Sequence, residues 1–451
     1  MATVLRSSHA YGDDATADPA PIAPSTALLT DHYELTMLQA ALHSGAAERR
    51  AVFEVFARHL PHGRRYGVVA GTGRVLDAIE RFRFDPPDLA FLRDAGIVDE
   101  TTLAYLSGYK FRGDVWGYGE GDCYFPGSPI LVVEGTFAEA VLLETVVLSI
   151  LNHDCAIASA ASRMVTAAQG RPLIEMGSRR THEAAAVAAA RAAYMCGFTA
   201  TSNLAAGHVH GVPTTGTAAH AFTLVHDSER DAFSAQVSSL GKGTTLLVDT
   251  YDVPRAVRTA VSVAGPGLGA VRIDSGDLAA VARSVRAELD SLGAGSTRII
   301  VTGDLDEYSI AALAAAPVDG YGVGPSLVTG SGAPTAALVY KLVARDGSPV
   351  AKRSVGKPGR GGRKWAVRHR SEDGTAQEEV VSTVPPVIAP NDRGLLVPLI
   401  RSGSVVKRAS VGDARAFHFS ALAELPGYAL QLSRGYPAIP TVFTSNGAET
   451  D

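Results

Sequence analysis

The chain has 451 residues, a formal net charge of -5 and 46% hydrophobic residues. That length carries two or three domains around a large core. The mildly acidic balance excludes a general field for nucleic acid or anionic membrane, so any anion site must be local.

Cys123, Cys155 and Cys196 are widely spaced and odd in number. They offer neither a disulfide framework nor a zinc pattern, and they point to a reducing cytoplasm. No apolar run is expected to reach the roughly 20 residues of a membrane span. The N-terminus has no apolar segment of the signal-peptide kind.

Residues 1–24 are rich in Ala, Pro, Asp and Ser and read as a disordered tail. Residues 441–451 read the same way. The folded part opens at Leu28, where Thr30 or Asp31 can cap a helix with Leu35, Met37, Leu38 and Leu42 on its apolar face. Tyr33 lies in its first turn, as a packing residue or a site residue. Strands are expected at 51–57, 114–118 and 130–135, and helices at 71–82 and 87–95. They do not alternate regularly, which suggests an α+β domain. Residues 138–169 read as one long apolar helix or two.

The pattern changes at Arg171. Strands are expected at 173–176, 198–202, 212–217, 245–248, 270–273, 298–301 and 318–321, most of them followed by a helical pattern. Seven such units in succession favour a parallel β/α barrel, whose active site lies at the C-terminal strand ends. After Lys341 strand-like pieces return without helices. They are expected to pack back on the first domain. The resulting division is a discontinuous α+β domain, 25–150 with 345–440, and a barrel domain, 151–344.

The expected strand ends carry the chemistry. Gly303, Gly322 and Gly324 let backbone N–H groups approach an anion closely. Arg179, Arg180 and Arg272 can hold a carboxylate or phosphate through paired N–H bonds. Asp249, Asp274 and Asp277 can bind ribose hydroxyls, face a bridging cation or stabilise a developing positive charge; Asp277 can equally cap a helix. His220 can be a base, a metal ligand, a nucleophile or a structural histidine. His208 and His210 form an H-x-H pair on a poor strand, with the acids far along the chain. No direct metal motif results. The basic, Gly-rich stretch Lys352 to Arg368 is a solvated loop or a lid over phosphates.

Taken together, the segments Leu29-Thr30-Asp31-x-Tyr33, Glu175-Met176-Gly177-x-Arg179-Arg180, Gly216-Thr217-x-x-His220, Leu247-x-Asp249-Thr250-Tyr251, Arg272-x-Asp274-Ser275-Gly276-Asp277, Gly322-x-Gly324 and Tyr340-Lys341-Leu342 resemble the nicotinate phosphoribosyltransferase family, of the type II phosphoribosyltransferases. The resemblance runs in order over about residues 27–370. It implies an irregular, incomplete β/α barrel plus the discontinuous α+β domain. It also implies the joining of nicotinate to 5-phosphoribosyl-1-diphosphate (PRPP), giving nicotinate mononucleotide and diphosphate in NAD biosynthesis.

ATP hydrolysis would be coupled through a phosphohistidine at His220, with Mg²⁺ carried by the phosphates. Thr217, Tyr33 and Arg272 would hold nicotinate, with Tyr33 reaching in from the partner of a cytoplasmic homodimer. Arg179 would meet the diphosphate, Asp249 and Asp274 the oxocarbenium-like ribose, and Gly303, Gly322, Gly324 and Ser326 the 5-phosphate. The family has Thr-Ser after Gly322-x-Gly324, whereas this chain has Pro325-Ser326. That departure weakens the phosphate cradle and raises an inactive, ligand-binding relative as an alternative. Nicotinamide or quinolinate would be the alternative substrates; nicotinamide lacks the carboxylate that Arg272 would read.

Overall fold

The computed structural model describes residues 24–352, 359–445 and 448–449. The expected N-terminal tail, apart from Pro24, lies outside the described residues, as do 353–358 of the basic stretch. Three larger sheets organise the rest, beside a two-stranded one of Gly67–Val68 and Cys123–Tyr124.

The first sheet has seven strands in the order Ser348–Pro349, Leu338–Arg345, Arg50–Ala57, Leu131–Thr136, Asp114–Gly117, Val397–Arg401 and Ser404–Val405. All neighbours are antiparallel. Phe53, Val55, Val115, Leu131 and Val133 are buried in its core with Leu35 and Leu38 of the helix His32–Ser44. Asp31 caps that helix by accepting from His32 N at 2.9 Å. Leu338–Arg345 pairs with Arg50–Ala57 and so belongs to this sheet, not to the barrel unit in which 151–344 would have put it.

The second sheet has six parallel strands in the order Ala200–Thr201, Leu173–Glu175, Gly320–Val323, Arg298–Gly303, Ala270–Ile273 and Thr245–Leu247. Helices such as Glu183–Met195, Val253–Ala264 and Leu278–Ser291 connect these strands. The result is a parallel half-barrel sheet. The expected strand at 212–217 does not form. Its one sheet contact is an isolated bridge between Thr214 and Thr201. Pro213 has no N–H for a ladder, and Gly216 follows three residues on.

The third sheet runs Arg393–Gly394, Trp365–Arg370, Ala376–Ser382, Thr441–Ser445 and Ala448–Glu449. Thr441–Ser445 pairs in parallel with Glu379–Ser382, which corrects the reading of 441–451 as a tail. Arg368, with a fully buried side chain, ties this sheet to the first domain through Asp122 at 3.0 Å, and pairs within the sheet with Glu379 at 2.5 Å.

The helix Glu144–Ala168 crosses the expected domain boundary at residue 150. With the preceding turn it is long and apolar enough to span a membrane, with mean hydropathy 1.5, against the expectation from the sequence. Its neighbours in the fold bury 67% of its apolar 18-residue window, so its apolar surface is that of a core helix. The three cysteines are buried and unpaired.

Candidate active site

The C-terminal ends of three adjacent parallel strands bring together residues distant in the sequence. Thr245–Leu247 leads to Asp249, Ala270–Ile273 to Asp274, and Arg298–Gly303 ends at the third tip. Asp249 Oδ2 accepts from Asp274 N and from Ser275 Oγ, each at 2.8 Å. Asp249 Oδ1 is buried without a hydrogen-bond partner. An orphaned carboxylate oxygen in that position is a costly arrangement unless something polar completes it. Asp274 Oδ1 accepts from Thr302 Oγ1 of the next strand.

His220 opens the short helix His220–Leu224 and leans over these carboxylates. Its Nδ1 is 3.1 Å from Thr250 Oγ1. Its Nε2 lies 3.9 Å from Asp249 Oδ1 and 4.0 Å from Asp274 Oδ2. The ring is 40% exposed, open to an incoming group from one side.

Arg272 points from its strand toward Thr217 and donates through Nη1 to Thr217 Oγ1. Nη2 is 3.9 Å from Asp274 Oδ1, while Nε is buried without a partner. Burial lowers the guanidinium pKa from its ordinary value; Asp274 and Asp249 oppose that, and Arg179 adds to it. Arg179 is exposed and near enough to Arg272 to be felt electrostatically. The strand end that carries it is held by Glu175, which accepts from Gly177 N and Thr201 Oγ1, both at 2.5 Å. Burial raises the Glu175 pKa against those two bonds.

The glycines sit on neighbouring tips. Gly303 has φ +136, a conformation that a side chain rarely adopts. A Cβ on Gly322 would come within 2.5 Å of Thr302 and 2.8 Å of Met176 Sδ. Gly324 precedes the four-residue helix Pro325–Val328. Pro325 stands in its first turn, where a backbone N–H has no intrahelical acceptor, so it does not break the turn. Ser326 beside it is half-buried. Asp277 caps the helix Leu278–Ser291 by accepting from Ala280 N at 3.0 Å. His208 and His210 lie in the helix Leu204–His210, and the described residues contain no cluster of three or more His, Cys, Asp or Glu able to hold a metal.

Over 424 residues the chain is 61% identical to nicotinate phosphoribosyltransferase pncB1 of Mycobacterium tuberculosis, covering 92% of this chain and 94% of that one. It belongs to the nicotinate phosphoribosyltransferase family. Residues 28–152 match the family model for the nicotinate phosphoribosyltransferase N-terminal domain. The Bacillus subtilis nicotinate phosphoribosyltransferase is 38% identical over 338 residues, 72% of this chain and 69% of its own. The fold is similar to the crystal structure of human nicotinic acid phosphoribosyltransferase, with a TM-score of 0.79, 25% identity and coverage of 92% and 97% of the two chains.

Two elements of the family motif set lie on the antiparallel domain. Tyr33 is 44% exposed there, close enough to Glu144 to be felt electrostatically. Burial raises its phenol to about 12, with Glu144, Glu34 and Asp31 adding to the rise. Lys341 reaches Glu144 at 3.9 Å and also lines an open cleft of about 600 Å³. Arg58, Lys352, Arg360 and Lys364 line the same cleft. Lys364 is committed to Glu54 at 2.8 Å, which leaves the other cations to set the character of the cleft.

Thr250, Ser275 and Thr302 were not singled out from the sequence. Each is a hydroxyl beside a motif aspartate, in chain or across the sheet. Thr250 and Ser275 stand inside quoted motifs, whereas Thr302 becomes visible only once the sheet order is known.

Proposed function

We propose that the chain transfers the 5-phosphoribosyl group of PRPP to the ring nitrogen of nicotinate, releasing diphosphate. The observation that carries this reading is the pairing of Arg272 with Thr217 beside Asp249 and Asp274. It offers a guanidinium for a carboxylate, next to anionic groups suited to an electron-poor ribose. The C–O bond to diphosphate breaks and the C–N bond forms. The pyridine nitrogen is nucleophilic without a base, so catalysis is mostly positioning and charge stabilisation. Arg272 reads the nicotinate carboxylate, which disfavours nicotinamide. Arg179 faces the diphosphate, and Gly303, Gly322, Gly324 and Ser326 face the 5-phosphate. The irregular barrel of the type II phosphoribosyltransferases is the architecture this arrangement suits.

ATP enters as co-substrate. His220 accepts its terminal phosphoryl group: an N–P bond forms, the P–O bond to ADP breaks, and water later cleaves the phosphohistidine. The charge so placed beside the diphosphate site changes affinity for PRPP and its products. Mg²⁺ neutralises phosphate charge when bound. The unpartnered Asp249 Oδ1 and the nearby Asp274 fit a cation that keeps water and phosphate oxygens as its other ligands.

Tyr33 and the basic cleft fit the same site only if a second copy presents them. A cytoplasmic homodimer with shared sites accounts for their place on the antiparallel domain rather than on the parallel sheet. Pro325 leaves the turn intact, which favours an active enzyme over an inactive relative.

The test is nicotinate mononucleotide formation from nicotinate, PRPP and Mg²⁺, with and without ATP, beside His220→Ala. Nicotinamide and quinolinate serve as competing substrates. Turnover stimulated by ATP, with the stimulation lost in His220→Ala, is the expected result. Turnover indifferent to both removes the phosphohistidine.

A further inference from the structure

We infer that Glu307 is a positioning residue that fixes the spacing of the two glycine-rich strand ends on which PRPP sits. This rests on the reading of the phosphate site given above.

Glu307 begins the helix Glu307–Ala312, just after the Gly303 tip, and is 2% exposed. One carboxylate oxygen accepts from Arg163 Nε of the long core helix at 3.0 Å. The other accepts from Ser331 Oγ at 2.6 Å. Ser331 ends the turn that follows Gly324 and Ser326, and its N–H donates to Ser326 O at 2.6 Å. Its φ of +51 is uncommon for serine, so the turn is held in place by its bonds. Arg64 Nη2 grips Gly330 O of the same turn at 2.5 Å, and Glu307 is the main charge opposing the desolvation of that arginine.

One buried carboxylate therefore ties both phosphate-bearing loops to each other and to the core helix. Stability alone is a weak reason for it, because packed apolar side chains do as well as a buried ion pair. A phosphate shared between backbone groups of two separate loops is a stronger reason. Its binding depends on their spacing, and a shift near 1 Å costs about 100-fold in favourable cases. Glu307 touches no substrate; it acts through Gly303 and the 324–331 turn.

The experiment compares steady-state kinetics of the full chain with Glu307→Ala, Glu307→Gln, Ser331→Ala and Gly324→Ala. In Glu307→Ala the KM for PRPP is expected to rise about tenfold or more, with the KM for nicotinate moving far less. Glu307→Gln keeps an acceptor for one partner and should recover part of the loss; Ser331→Ala should show a smaller rise of the same kind. A folded Glu307→Ala with unchanged PRPP KM, or with both KM values raised equally, overturns the inference. If Glu307→Ala does not fold, an unchanged PRPP KM in Ser331→Ala overturns it instead. Gly324→Ala separates the two levels. A raised PRPP KM there with none in Glu307→Ala leaves the cradle standing and removes Glu307 from it. No change in either removes both.

Discussion

His220 Nδ1 is held 3.1 Å from Thr250 Oγ1, and that contact turns Nε2 toward Asp249 and Asp274. Thr250 thus sets the ring's aim. Thr250→Val keeps the volume and removes the hydroxyl. A lost hydrogen bond of this kind is worth about 0.5–1.5 kcal/mol, so ATP stimulation should fall by roughly two- to tenfold. Turnover without ATP should change less. Equal losses in both assays would mean that Thr250 serves packing.

Arg272 gives a prediction about specificity. Its Nη1 holds Thr217 while Nε lacks any partner in the fold, so the guanidinium has capacity left for a carboxylate. Arg272→Gln should raise the nicotinate KM by about ten- to 150-fold, from the roughly 1.5–3 kcal/mol of a charged hydrogen bond. Nicotinamide turnover, however small, should be nearly unaffected. Arg272→Lys keeps the charge but not the fork and should lie nearer to Gln than to wild type. Parallel losses for both substrates would take the carboxylate away from Arg272.

Arg368 tests the fold. Its guanidinium meets Asp122, Glu379 and Glu424, joining segments from three parts of the chain. Arg368→Ala leaves Asp122 and Glu379 buried with less compensation. Breaking a buried pair from one side costs about 3–5 kcal/mol, which denaturant melts would read as a clear loss of midpoint. A change below about 1 kcal/mol would show that Arg393, 2.7 Å from Asp122, suffices alone.

The site was legible where chemistry follows directly from a strand end. Asp249 and Asp274 each follow a short apolar run and Arg272 lies within one, and the sheet order places those runs side by side. The contact between Arg272 and Thr217 was not legible, because it depends on how a loop without strand pairing folds over the sheet. The same loop defeated the expected strand at 212–217. Thr441–Ser445 escaped because its pairing partner, Glu379–Ser382, is remote in sequence and the strand itself is short. The helix Glu144–Ala168 escaped as a span-like segment because alanines and polar residues interrupt its larger apolar side chains. Tyr33 was legible as a motif residue but not in its place on the antiparallel domain, in the helix His32–Ser44.

That placement yields a test of shared sites. Tyr33 lies beside Glu144 on the antiparallel domain, while His220 faces Asp249 and Asp274 on the parallel sheet. If a twofold partner supplies Tyr33, each site of a dimer combines one copy's Tyr33 with the other's His220. Tyr33→Ala removes a stacking face and should depress turnover, and His220→Ala should abolish ATP stimulation. A mixed dimer of the two variants, isolated with two different tags, then contains one site with both defects and one with neither. It should regain about half of the ATP-stimulated activity of wild type, as twofold symmetry requires. If Tyr33 serves its own chain's site, each site of the mixed dimer carries one defect and nothing is regained. A protein that stays monomeric at assay concentration while fully active would remove the shared site altogether.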